Sequence, residues 1–64
     1  MNKIITFKAI SFLRQIKFSD FGYVPAIGQV LKFKDGEECK SFVVKSVYAP
    51  VPGNFIQVNM EAAD

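Results

Sequence analysis

The chain has 64 residues, half of them hydrophobic, with seven Phe, two Tyr and a net charge of +2 from eight basic and six acidic side chains. Such a length builds one domain, residues 1–64, that buries only about 60% of the surface its unfolded form exposes. One cysteine, Cys39, excludes an internal disulfide, and the absence of His removes the commonest metal ligand.

From Ile4 to Phe18 two patterns fit. Ile5 and Phe7 share one strand face while Ile10 and Phe12 take the other, so a strand needs a bulge near Ala9. A helix would instead gather Ile5, Ala9, Phe12, Leu13 and Ile16 on one side. The β-branched and aromatic content favours a long bent strand, with a short helix near Ser11 to Lys17 as the alternative. Asp20, Gly22 and Pro25 then punctuate Ser19 to Pro25 as a loop.

A hairpin follows. Pro25 and Gly28 open a strand in which Leu31 and Phe33 alternate with Lys32 and Lys34, Asp35-Gly36 reverses it, and Ser41 to Tyr48 returns beside it. Phe42 and Val44 keep one parity and Val47 breaks it, which predicts a β-bulge and a sheet that curls. After the Pro50-Val51-Pro52-Gly53-Asn54 turn signal, Ile56, Val58 and Met60 alternate with Gln57, Asn59 and Glu61 as a half-buried strand. The expected fold is mainly β: four or five antiparallel strands in a partly open, SH3-like barrel around Phe7, Leu31, Phe33, Phe42, Val44, Ile56, Val58 and Met60, with room for one short helix.

Two groups of residues are candidate binding sites. Phe18, Phe21 and Tyr23 concentrate aromatic area in the loop, either to anchor a partner or to fold back as a lid on the open end of the barrel. Lys32, Lys34, Lys40 and Lys45 are candidate phosphate contacts on the outer hairpin face, although Lys32 and Lys45, opposite in parity to Phe33 and Phe42, are also what an ordinary solvated face contains. Catalysis has no support. Cys39 lacks a His to serve as base, and Asp20, Asp35, Glu37, Glu38, Glu61 and Asp64 show no spacing that clusters them for acid–base work or a metal. Gly28 lacks the further glycines of a phosphate-binding loop. No enzyme activity, cofactor or metal is expected.

No apolar run reaches the roughly 18 residues of a membrane span, and the Met1-Asn2-Lys3-Ile4-Ile5 start has no signal-peptide pattern. The expectation is a cytoplasmic protein without membrane contact, and a single unpaired cysteine suits that reducing compartment.

Val24-Pro25-Ala26-Ile27-Gly28-Gln29-Val30-Leu31 followed by Phe42-Val43-Val44-Lys45-Ser46-Val47 resembles a pattern of small orphan proteins of phages and bacteria, over about half of the chain. The resemblance implies an SH3-like barrel and a binding or assembly role, such as a phage-type accessory protein that acts on a host factor. It carries over no functional residue. The leading functional expectation is therefore a non-enzymatic protein-binding module, through an exposed strand edge or the Phe18 to Tyr23 loop. The alternatives are weak, non-specific nucleic-acid binding on the lysine face and a structural subunit of a homodimer or larger oligomer.

Overall fold

Strict alternation of apolar and polar residues at period two dictates strands that bury one face, and the computed structural model, which describes residues 3–63, is built from five of them. They are β1 (Ile4–Ala9), β2 (Phe12–Lys17), β3 (Val30–Asp35), β4 (Glu38–Tyr48) and β5 (Phe55–Ala62), with one helical turn, α1 (Phe18–Phe21), after β2. The strands form one sheet in the order β2-β1-β5-β4-β3. It curls into a half-barrel, so that β2 and β3, its two edges, approach each other through side chains without sharing a ladder. Met1, Asn2 and Asp64 lie outside the described residues.

Three pairings are antiparallel, as the alternation predicts, but β1 runs parallel to β5, with Ile5 opposite Ile56 and Phe7 opposite Val58. The antiparallel expectation fails at this one join for a topological reason. The β1–β2 hairpin and the β3–β4–β5 meander each run antiparallel internally. Because Phe18 to Gln29 crosses from one sheet edge to the other, the first and last strands meet running the same way.

The first segment is also not one bent strand, nor is Ser11 to Lys17 a helix. The chain reverses at Ile10-Ser11, and Ala9 pairs with Phe12. Reversal resets the parity: Ile5, Phe7 and Ala9 face Ile16, Arg14 and Phe12 across the ladder, all on the core side. Ile10, at the tip, is 95% exposed. Ser11 adopts a left-handed φ of 61° without the Gly, Asn or Asp that ordinarily marks such a position. The Asp35-Gly36 turn is the contrasting case, since Gly36 supplies its φ of 66° at no steric cost.

The loop expected from Ser19 begins with α1 instead. Gly22 ends that turn at φ 98°, its N–H bonded to the Phe18 carbonyl at 2.8 Å. The bulge appears where the parity of Val47 requires it. The β4–β5 register shifts between Val44 and Ser46, Lys45 is the extra residue, and Val47 returns to the core side opposite Val58.

Among the described residues nine hydrophobic side chains form the buried core, the eight expected and Ile5. Their rings connect. Phe7 lies 5.0 Å from Phe33 between ring centroids, and Phe12 lies 5.3 Å from Phe33 and 4.7 Å from Phe42, so aromatic side chains fill the space between the two sheet edges. Arg14, half-buried on β2, spreads its guanidinium over the Phe12 and Phe33 rings at 5.4 and 5.9 Å and donates a hydrogen bond to the Lys34 carbonyl of β3 at 3.0 Å.

Arg14→Ala should lower stability by about 2 kcal/mol, the lower end of the sum of one charge-assisted hydrogen bond and a cation–π contact, since both are partly exposed. Arg14→Lys should recover little of it, because an ammonium cannot stack as a plane while reaching the carbonyl. Urea unfolding of the three proteins measures the difference, and equal midpoints would show that the edges hold together without Arg14.

Candidate nucleic-acid interface on the convex face

Since Ile5, Phe7, Leu31, Phe33, Val44, Ile56, Val58 and Met60 point inward, the residues between them cover the outside of the curl. Register then decides which of them are neighbours. One row crosses Gln15, Thr6, Gln57 and Tyr48, and the next crosses Leu13, Lys8, Asn59 and Ser46. Further along, Val30 lies beside Val43 and Lys32 beside Ser41.

Five exposed lysines occupy this face: Lys8 and Lys17 from the β1–β2 hairpin, Lys32 and Lys34 on β3, and Lys45 at the bulge. Among the described residues the face carries one carboxylate, Glu61, 4.0 Å from Lys45. Asp35, Glu37 and Glu38 gather at the β3–β4 turn and Asp20 lies in α1, so the modest overall charge conceals a one-sided distribution.

Lys40 does not belong to the set, contrary to its expected place with Lys32, Lys34 and Lys45. It stands opposite Phe33 in the ladder and so has the parity of the concave side. There it pairs with Asp35 at 3.0 Å, and the hydrogen bond and charge of that carboxylate raise its pKa above the ordinary lysine value.

Two aromatic rings share the convex face with the lysines. Tyr48 and Phe55, flanking the β4–β5 loop, are 58% and 45% exposed, with centroids 6.0 Å apart and planes at 45°. Beside them runs a chain of polar side chains in which the Gln57 carboxamide donates to Asn59 Oδ1 at 3.1 Å and Asn59 Nδ2 donates to Ser46 Oγ at 2.9 Å. A surface of flexible cations, open rings and oriented amides can hold phosphate, stack bases and meet their polar edges.

The expected aromatic site divides. Phe18 and Phe21 pack against the core, Phe21 lying 5.0 Å from the fully buried Phe7, so both act as the lid. Tyr23 stacks on Phe21 at 4.8 Å and stays 45% exposed, its hydroxyl accepting a hydrogen bond from Gln29 Nε2 at 2.7 Å. Gln29 holds the loop in three ways: besides Tyr23, its Oε1 accepts from the Ala26 N–H at 3.1 Å and its own N–H donates to the Ala26 carbonyl at 3.1 Å.

Reading the residues in order misses Gln29, Tyr48 and Phe55. Phe55 has a signal, since it is opposite in parity to Ile56, Val58 and Met60. Tyr48 becomes readable only once the bulge is counted, and the polar neighbours of Gln29 are invisible before the loop is folded.

Among the described residues no helix is long and apolar enough to cross a membrane, and no three His, Cys, Asp or Glu side chains gather where they could hold a metal ion. Cys39 is exposed, opposite Lys34.

Gln29→Ala should release the Tyr23 to Gly28 loop with a global stability cost of only about 1 kcal/mol. Amide exchange at Ala26, read by NMR, should rise well beyond what that loss explains; unchanged protection there would show that the loop is held by other contacts. Neither a family model, nor a curated protein, nor a solved structure matches this chain.

Proposed function

We propose that this protein binds single-stranded nucleic acid, without catalysis, on the convex face of its sheet. The observation that carries the reading is the coincidence on one face of five exposed lysines, the exposed Tyr48–Phe55 ring pair and, among the described residues, a single carboxylate. Lysines alone would suit any phosphate chain. Open rings add a preference for single strands, whose bases are free to stack on them, whereas the bases of a duplex already stack on one another. The expected aromatic loop is less suited to be the main binding site, because two of its three rings lie against the core.

Binding of this kind weakens with salt in proportion to the phosphates neutralised. Contacts to about four or five phosphates give a slope of log K against log salt of about −3, or −0.7 per phosphate on a single strand. Fluorescence anisotropy with a labelled oligothymidine from low to moderate salt measures it. Tyr48→Ala should weaken binding by about 1–3 kcal/mol with the slope unchanged, and circular dichroism should show the sheet intact. Absence of binding at low salt, or affinity indifferent to salt, would overturn the reading.

A second reading, pairing between two copies of the chain, is favoured by the free edge of β3. With Asp35 and Glu38 closing the turn, ladder alternation turns the main-chain groups of Val30, Lys32 and Lys34 away from β4; Arg14 takes the Lys34 carbonyl and leaves the others open. Val24, Ile27 and Val30, 44%, 69% and 56% exposed, supply apolar area at the start of that edge. Sedimentation should then show a dimer at micromolar concentration that Val30→Lys converts to monomer; a wild-type monomer throughout would dispose of it.

A further inference from the structure

Resting on the nucleic-acid reading, we infer that Gln57 is a base-reading residue: a base stacked on Tyr48 presents its polar edge to the Gln57 carboxamide. Gln57 is the direct cross-strand partner of Tyr48, on the same face. Directly paired side chains leave a sheet about 5 Å apart, the reach from the centre of a stacked base to its hydrogen-bonding edge.

The carboxamide is also pre-oriented. One Nε2 hydrogen is engaged by Asn59 Oδ1, and Asn59 is in turn tied to Ser46. That leaves Gln57 with a second N–H donor and the Oε1 acceptor for a ligand, on a half-buried group that cannot turn without breaking the chain of bonds. A donor beside an acceptor complements the edge of every base, since each offers one of both kinds. Gln57 therefore contributes contact with bases in general, while the lysines contribute contact with phosphate. A glutamate at the same place would only accept. It would favour cytosine, whose exocyclic amino group donates, over thymine, whose single N–H lies between two carbonyl oxygens that repel a carboxylate.

The experiment compares oligothymidine and oligocytidine of equal length on the wild type, Gln57→Leu and Gln57→Glu, by anisotropy at low salt. For the wild type the two affinities should lie within about threefold of each other. Gln57→Leu should weaken both by about five- to tenfold, the size of one neutral hydrogen bond, and leave the salt slope in place. Gln57→Glu should shift the ratio of affinities toward oligocytidine by about tenfold, which uniform repulsion of phosphate by a new negative charge cannot do. If Gln57→Glu weakens both ligands equally, or Gln57→Leu binds like the wild type, Gln57 faces no base and the inference falls while the nucleic-acid reading stands. If the wild type binds neither ligand, that reading falls, and the inference with it.

Discussion

A five-stranded sheet with two free edges has to be closed by something, and here the closure is aromatic. Phe7, Phe12, Phe33 and Phe42 lie within ring-packing distance of one another along the gap between β2 and β3, where no backbone ladder exists. Arg14 sits across the same gap, its plane over two of those rings and its hydrogen bond on the far strand. Aromatic side chains bury large areas at a modest cost in rotamer entropy, and this suits a chain too short for a deep interior. The lid formed by Phe18 and Phe21 rests on Phe7, and the drawn-in edges act with the bulge at Lys45 to keep the sheet convex outward.

The inside of the molecule was legible and part of the outside was not. Burial follows parity, and parity needs only the residue order and one bulge, which Val47 betrays; hence the core of Leu31, Phe33, Phe42, Val44, Ile56, Val58 and Met60 could be read directly. Ile10-Ser11 defeated the same method. A reversal built without Gly, Asn or Asp leaves no turn signal, and the parity change it causes looks identical to that of a bulge. The parallel join of β1 to β5 was hidden for another reason. Pairing direction depends on how the connections route between edges, and no local pattern encodes that route.

The candidate site was legible to the extent that its residues lie on regular strands. Lys32 and Lys34 could be placed outward by alternation alone. Lys40 shares the parity of Phe42 and Val44 on β4, so the same alternation assigns it to the concave side, and the register puts it there with Phe33 and Asp35. The grouping of Lys8, Lys17 and Lys45 with Tyr48 and Phe55 arises from four different strands, so it exists only after the sheet order is known. Surface charge in a small β protein is thus better judged face by face than from its sum. A total of +2 conceals a side with a single carboxylate among its described residues.

The parallel contact between β1 and β5 also governs how the molecule comes together in time. β5 occupies the middle of the sheet, so the two parts on either side, the β1–β2 hairpin and the β3–β4 hairpin, have no edge in common until it arrives. Local reversals form within microseconds, whereas joining Ile5 to Ile56 must first close nearly the whole chain into a loop. Contacts of such long sequence separation slow folding, so the pairing of β1 with β5, the edge that the local β3–β4–β5 meander offers, is the join that limits completion of the sheet.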